Sequence, residues 1–195
     1  MSGHYIELAD GSRFHFGPEY SIAPEIGVIA HALSQLCRFT GHSAYVGGQI
    51  YSVAQHSVKV SYLVPRRYAL AGLMHDAHEC IIGDKSTPLK RYLAEVGIDF
   101  DGLDDAVARC VREAYDIPDP LPEPVKHADV LMCLIEATAL MPTKARNWGE
   151  PLASFRTEAL DLYIDRPELR PEPWTPEESK DRFLCRYLEL KETQA

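Results

Sequence analysis

The chain has 195 residues, which suits one well-packed domain, and we expect a single domain over residues 1–195. Its net charge of −9 argues against binding to a nucleic acid polymer, because proteins that do so usually present a basic face. No run reaches the roughly 18 apolar residues of a membrane span. The N-terminal segment also lacks the pattern of a signal peptide, so a cytoplasmic protein is expected. The five cysteines include no CxxC pair, which favours reduced core thiols.

A small β-hairpin is predicted at the start of the chain. The dipeptide Asp10-Gly11 lies between two short segments, 5–8 and 13–16, and is a strong signal for a two-residue turn. Residues 26–37 then carry an apolar stripe at helical spacing. The glycine-containing segment 41–51, GHSAYVGGQIY, breaks that pattern and is predicted to be a loop.

Helices are predicted for most of the remaining chain. Ser52 is expected to cap a helix that ends at Pro65. Thr175 opens a capping box for the last helix. The helices expected after Pro65 cover residues 67–82, 86–97, 99–115, 125–141 and 175–191. The predicted fold is therefore an all-α bundle that a small N-terminal β-hairpin precedes.

The segment 72–84, GLMHDAHECIIGD, places five ionisable side chains beside apolar residues. Unpaired buried charge is costly, and a bound metal ion is the simplest way to offset the cost. His75 and Asp76 point about 100° apart on a helix, so other segments must supply further ligands. His56 and Asp129 each lie on an otherwise apolar predicted helix. Two imidazoles and two carboxylates suit a divalent ion, with Co, Mn, Zn, Ni, Fe and Mg as candidates.

Each of these residues also has a simpler explanation. A His-Asp pair often occurs by chance, a single histidine in a helix is commonly a hydrogen-bonded core residue, and Asp129 can be an ion-pair partner. The four residues in this order are a more specific signal than any one of them alone. A histidine is followed nineteen residues later by the His-Asp pair, and then by an aspartate on a long apolar helix.

The order H…HD…D resembles the signature of the HD-domain metal-dependent phosphohydrolases. The resemblance extends through HALSQLCRF, YSVAQHSVKVS, LMHDAHECIIGD, TPLK and VKHAD, and covers roughly residues 25 to 140. Within that superfamily the chain is similar to the bacterial 5′-deoxynucleotidases and to the phage dATP triphosphohydrolases. The resemblance implies an HD-domain helical bundle around one metal centre, assembled as a homo-oligomer between a dimer and a hexamer.

The resemblance also implies roles for single residues. The positions that match metal ligands are His56, His75, Asp76 and Asp129. Glu79, in the pattern HDxxE, matches a catalytic acidic residue, and Asp84 matches a second one near the reacting phosphate. Lys90 in TPLK matches a phosphate-contacting lysine, and Arg38 in CRF resembles an arginine beside the substrate.

The implied function is hydrolysis of the 5′ phosphoester of a 2′-deoxynucleotide, with dATP, cleaved to deoxyadenosine and triphosphate, as the best single substrate. Lys90 and the free N–H groups of its helix favour a triphosphate, because they can bind phosphates beyond the reacting one. Arg66, Arg67 and Arg91 could extend the phosphate binding, but each is more simply explained as a solvated surface charge.

Several alternatives remain open at this stage. A 5′-deoxynucleotidase would release phosphate from deoxynucleoside monophosphates. Cyclic nucleotides and alarmones are other substrates of HD enzymes, and a di-iron oxygenase is a redox alternative that needs additional histidine ligands. His78 and His127 are not convincing as such ligands, so one metal is expected. Outside the enzymes, a catalytically silent metal-dependent nucleotide-binding protein would keep the metal and lack turnover.

Overall fold

The computed structural model describes residues 3–17, 22–43, 48–146, 148–149 and 152–193. These residues are mostly helical, with one small two-stranded antiparallel sheet, so the predicted combination of helices with an N-terminal hairpin is confirmed. The strands are β1 (Tyr5–Glu7) and β2 (Arg13–His15). The helices are α1 (Ile26–Gln35), α2 (Val53–Leu63), α3 (Ala69–Met74), α4 (Glu79–Ile82), α5 (Thr87–Glu95), α6 (Phe100–Ala114), α7 (Glu123–Leu140), α8 (Arg156–Asp165) and α9 (Pro176–Glu192).

The hairpin packs against the helices, with Phe14 as its most deeply buried side chain. Ile6 pairs with Phe14 across the two strands, and Gly11 in the turn has a φ of 82°, a conformation that glycine adopts without strain. Phe14 is completely buried in the core.

Helix α2 lies at the centre of the molecule. It contacts α1, α3, α7 and α9, and its residues from Val53 to Ser61 are all buried. The predicted cap is confirmed, since the Ser52 hydroxyl accepts a hydrogen bond from the backbone N–H of Gln55 at 3.2 Å. Helix α7 packs against α2, α3 and α8. Ionisable residues on α2 and α7 are therefore carried into the core.

Three details differ from the sequence-based expectations. The single helix predicted over 67–82 is wrong, because the chain forms α3, a turn through residues 75–78, and α4. Helix α8 was not predicted. Cys185 is exposed rather than part of the core. All five cysteines are free thiols.

Part of the predicted loop 41–51, residues 44–47, lies outside the described residues. The last residue of that segment returns to the chain before it, since the backbone N–H of Arg38 donates to the carbonyl of Tyr51 at 2.9 Å. This contact places Arg38 next to the start of α2. In the described part of the chain, no helix is both long and apolar enough to cross a membrane.

Candidate metal centre

The four predicted metal ligands converge between α2, α3 and α7. His56 lies within α2, Asp129 lies within α7, and His75 and Asp76 lie in the turn that follows α3. One nitrogen or oxygen atom from each residue lies within 4.8 Å of the corresponding atom of every other. Four nitrogen and oxygen atoms this close together can hold a metal ion. The predicted cluster is confirmed as a group that could bind one.

Gly72 allows α3 to approach α2 closely enough for this convergence. A Cβ atom at Gly72 would lie 3.1 Å from Cγ2 of Val64 and 3.3 Å from Cα of Ser61. The second contact is with the backbone of α2, which a rotamer change cannot relieve. The close packing places the rings of His56 and His75 with their centroids 5.2 Å apart.

Helix α3 ends immediately before His75, the first candidate metal ligand in the turn. The Gly72 carbonyl, which would accept a backbone N–H in a continued α-helix, lies 2.8 Å from Nδ1 of His75. Backbone hydrogen bonds from Ala77 to Met74 and from Glu79 to Asp76 then span three residues rather than four. This tightening replaces the continuous helix that the sequence pattern predicts.

The geometry of His75 fits a metal ligand. With Nδ1 donating to the Gly72 carbonyl, Nε2 is the nitrogen left for a metal. Nε2 lies 3.0 Å from Oδ2 of Asp76, yet it is buried without a well-directed hydrogen bond among the described residues. A buried nitrogen without a partner beside a carboxylate is the arrangement that a shared cation would satisfy.

Glu136 orients the other histidine. Its Oε1 atom lies 2.6 Å from Nδ1 of His56, while Nε2 of His56 lies 3.0 Å from Oδ1 of Asp129. Glu136 was not among the predicted site residues, although its position carries a signal. Like Asp129, Glu136 is an ionisable residue on the largely apolar helix α7, two turns further along.

The two imidazoles bind protons more tightly than free histidine does. Burial and the charge of Arg38 act to lower the pKa of His56, but Glu136 and Asp129 outweigh them and raise it. Burial likewise acts against protonation of His75, but the charge of Asp76 raises the pKa of His75 well above its ordinary value. A metal ion therefore competes with protons for both rings.

The two carboxylates of the cluster stay ionised. Burial acts to raise the pKa of Asp76, but the neighbouring His75 holds it below its ordinary value. The hydrogen bond from His56 outweighs the effect of burial on Asp129, so the pKa of Asp129 is well below its ordinary value. Both groups are therefore available as anionic ligands at neutral pH.

The pKa values of Glu79 and Asp84 are raised, whereas those of Asp76 and Asp129 are lowered. Glu79 is buried, its Oε2 has no hydrogen-bond partner among the described residues, and burial raises its pKa well above the ordinary value. The charges of Asp76 and Asp84 add to that shift. Burial also raises the pKa of Asp84, although Arg38 opposes it. Two carboxyl groups beside the ligand cluster thus hold protons more readily than usual.

Arg38 lies beside the candidate metal cluster. Its guanidinium is 3.3 Å from Oε2 of Glu136 and 3.8 Å from Oδ2 of Asp76, and little of the side chain is exposed. Glu136 and Asp76 therefore offset the charge of Arg38.

A cavity of about 190 Å³ opens beside the cluster, and Glu79 and Lys90 both line it. Lys90 is already paired, since its Nζ lies 2.7 Å from Oδ2 of Asp104. Arg112 and Lys126 line the same cavity, and sequence reasoning singled out neither. Lys126 carried a usable signal, because it precedes Asp129 by three residues and so shares its helix face.

The other candidates for phosphate binding do not line this cavity. Arg66, Arg67 and Arg91 are exposed, so the expectation that they extend the phosphate site is not supported. The two additional histidines also lie outside the cluster. Nε2 of His78 is 3.4 Å from Asp104, and Nε2 of His127 is 3.3 Å from Glu158.

The chain has close relatives in two bacteria. It is 37% identical to the uncharacterized protein YfdR of Escherichia coli over 188 residues, which cover 96% of each chain. It is also 33% identical over 175 residues to an uncharacterized protein of Rhodobacter capsulatus, covering 86% of this chain and 79% of the relative. No protein-family model matches the chain. By these identities the chain belongs to the protein family that includes YfdR.

Proposed function

We propose that this chain is an HD-domain metal-dependent phosphohydrolase that cleaves the 5′ phosphoester of 2′-deoxynucleotides, with dATP as the leading substrate. The observation that carries the proposal is the cluster of four ligands beside a cavity that Glu79 and Lys90 also line. A metal site, an acidic residue and a cation around one cavity are the parts that phosphoester hydrolysis requires.

The metal would be held by Nε2 of His56, Nε2 of His75 and the carboxylates of Asp76 and Asp129. Such a mixed nitrogen and oxygen set suits Co, Mn, Zn, Ni or Fe better than Mg, which prefers oxygen ligands alone. When bound, a divalent ion would act as a Lewis acid toward a phosphoryl oxygen and lower the pKa of a water molecule.

Glu79 is the group that would move the proton. The water oxygen forms a bond to phosphorus, the bond from phosphorus to the 5′ oxygen breaks, and the 5′ oxygen needs a proton to leave as a hydroxyl. Glu79 can take the proton from water and return one to the leaving oxygen, because burial raises its pKa well above the ordinary value and so lets it hold a proton more readily. Asp84, with a pKa also raised, is the second candidate for this role.

The cations would offset the charge of the substrate. Arg38 lies 3.8 Å from the ligand Asp76, close to the position of a reacting phosphate. Lys90, Arg112 and Lys126 line the adjoining cavity and would contact further phosphates. Five carboxylates line the same cavity, but three cations beyond Arg38 offer more contacts to a triphosphate than to a monophosphate.

A second candidate is a 5′-deoxynucleotidase acting on monophosphates. The ion pair between Lys90 and Asp104 favours it, because the charge of Lys90 is then already offset before any substrate binds. The experiment is to supply Co or Mn and incubate the protein with dATP, dAMP and ATP, measuring released phosphate and triphosphate separately. We expect triphosphate from dATP and little product from ATP.

The Asp76→Ala variant serves as the control for contaminating phosphatases, since it lacks a metal ligand. Cleavage of dAMP with no cleavage of dATP would replace the first candidate with the second. Nucleotide binding without any product would contradict both and support a protein that binds nucleotides without turnover.

A further inference from the structure

A second, larger cavity lies between α2, α9 and the segment 166–174. Its volume is about 400 Å³, within the range of roughly 300 to 1,000 Å³ that is usual for small-ligand pockets. None of its lining residues also lines the cavity at the metal centre. Four basic residues and two acidic residues line it, in a chain with a net charge of −9. The local balance therefore favours an anion.

Lys59 is the buried cation of this cavity. Only 3% of the residue is exposed, and Nζ donates hydrogen bonds to the backbone carbonyls of Glu168 at 2.8 Å and Arg170 at 2.7 Å. An ammonium group has three N–H donors, and the described residues provide no carboxylate within ion-pair distance of it. Burial without a directly paired carboxylate is costly and lowers the pKa of Lys59 to about 8, even though Glu136 and other carboxylates attract its charge at longer range. An anionic ligand would offset that cost.

Two arginines on α9 are held in place along the same cavity. Cζ of Arg182 lies 4.3 Å from the centre of the Trp174 ring, and Cζ of Arg186 lies 4.2 Å from the centre of the Tyr62 ring. Arg186 also donates hydrogen bonds to the hydroxyl and carbonyl of Ser61. Stacking and hydrogen bonding fix the direction of each guanidinium, which lowers the entropy cost of binding a ligand.

The existing partners of these arginines do not prevent ligand binding. Arg182 pairs with Glu178, and Arg186 pairs with Glu189, and the two carboxylate side chains are 41% and 58% exposed. The Arg182–Glu178 pair is exposed on both sides, and pairs of that kind contribute only about 0 to 1 kcal/mol, whereas in the second pair only Glu189 is exposed. A phosphate can make two parallel hydrogen bonds with a guanidinium, so it competes well with an exposed carboxylate.

We propose that this cavity binds a small phosphorylated ligand, with its phosphate on Lys59, Arg182 and Arg186. Trp174 and Tyr62 are the aromatic side chains that would contact the organic part of the ligand. The site is independent of the metal centre and of the activity proposed for it. A nucleotide, a sugar phosphate and pyrophosphate share the phosphate chemistry, and a binding experiment can tell them apart.

The two tryptophans of the chain allow the cavity to be observed alone. Trp174 lines it, whereas Trp148 has its ring 5.9 Å from that of Phe39, the residue next to Arg38. The Trp148→Phe variant, freed of metal by chelation and dialysis, therefore keeps one reporter, and without metal the proposed hydrolysis does not interfere. The ligands to titrate are dAMP, ribose 5-phosphate, pyrophosphate and, as the phosphate-free control, deoxyadenosine.

We expect a saturable change in Trp174 fluorescence with one or more phosphate-bearing ligands and none with deoxyadenosine. Adding Arg182→Gln should weaken binding about tenfold, the effect of one lost charge-assisted contact. The matched control is Lys180→Gln, which removes the same charge from α9 outside the cavity and should change affinity less than about twofold. Because Arg182 contacts Trp174, calorimetry and the melting temperature should accompany the fluorescence for both variants.

Three results would overturn the proposal. The first is the absence of saturable binding for all three phosphate-bearing ligands up to about 10 mM, a concentration above the dissociation constant of even a weak specific site. The second is equal binding of deoxyadenosine and dAMP. The third is the same loss of affinity in Arg182→Gln and Lys180→Gln, which would indicate a general charge effect rather than this cavity.

Discussion

Oε1 of Glu136 lies 2.6 Å from Nδ1 of His56, and both side chains are completely buried. The other carboxylate oxygen lies 3.3 Å from the Arg38 guanidinium. Burial acts to raise the pKa of Glu136, but the charges of His56 and Arg38 lower it, so the carboxylate stays ionised. Glu136 thus orients the ring of His56, a proposed metal ligand, and contacts Arg38 at the same time.

Replacing Glu136 with glutamine should weaken metal binding without unfolding the protein. Glutamine keeps the size and one oxygen acceptor but removes the charge that supports His56 as a donor to the metal. We expect the affinity for Co or Zn to fall about 10- to 100-fold, measured by competition with a chromogenic chelator. Glu158→Gln is the matched control, because Glu158 pairs with His127 outside the cluster. An unchanged metal affinity in Glu136→Gln would show that Glu136 does not orient His56 for metal binding.

Removing a ligand should have a larger effect than removing its support. His75→Ala and Asp76→Ala each delete one of four ligand atoms, and we expect loss of bound metal and of all hydrolysis. Elemental analysis after dialysis measures the metal content, and His127→Ala controls for the loss of a histidine elsewhere. Full metal content in both ligand variants would show that this cluster is not the metal site.

The four residues of the candidate metal cluster could be predicted from the sequence because each one interrupts an apolar pattern. His56 and Asp129 stand out against the apolar residues around them, and the core position of α2 and α7 follows from the same pattern. Glu136 is also an ionisable residue in an apolar pattern, so it could have been predicted in the same way. The rule works because a buried charge needs a partner wherever it occurs.

Features that depend on specific side-chain contacts, or that leave little apolar periodicity, could not be predicted in this way. The break after α3 involves a side chain, since His75 occupies the Gly72 carbonyl in place of a backbone N–H. Which cations reach the cavity is set by packing, so Arg112, which lines it, was not predicted. Helix α8 buries only Ala159 and therefore has little apolar periodicity to detect.

Gly72→Ala should disturb the metal centre through the backbone. The added Cβ would lie 3.3 Å from Cα of Ser61, so α2 and α3 must separate slightly. We expect a loss of about 1 to 3 kcal/mol in the free energy of unfolding, measured by urea denaturation, together with weaker metal binding. Gly27→Ala in α1 is the control, because a Cβ there meets nothing within 4 Å. Equal stability of the two variants would contradict the close-packing role of Gly72.

Glu79→Gln should separate chemistry from metal binding. Glutamine keeps the shape of the side chain but carries no proton to exchange, so turnover should fall about 100-fold or more while metal content stays unchanged. The melting temperature should not fall, because the substitution removes an ionisable group that is buried near Asp76 and Asp84. Wild-type rates in this variant would transfer the proton-moving role to Asp84, which Asp84→Asn would then test.

Metal affinity should rise with pH, because ions and protons compete for the same two imidazoles. The pKa values of His56 and His75 are both raised above their ordinary value of 6.5, so protonation already opposes metal binding at neutral pH. The lowered pKa values of Asp76 and Asp129 keep both carboxylates ionised throughout this range. Two released protons give a limit of about 100-fold in affinity per pH unit below the two pKa values.

The stability of the metal-free protein should change in the opposite direction. A histidine with a raised pKa stabilises the fold fully below pH 6.5, and that contribution disappears as the pH rises through its folded-state pKa. The increase in melting temperature on adding metal should therefore grow steadily from pH 6 to pH 8.5. His127→Ala, which changes an imidazole outside the cluster, should show the same trend. A metal affinity that is constant over this range would mean that His56 and His75 do not both bind the ion.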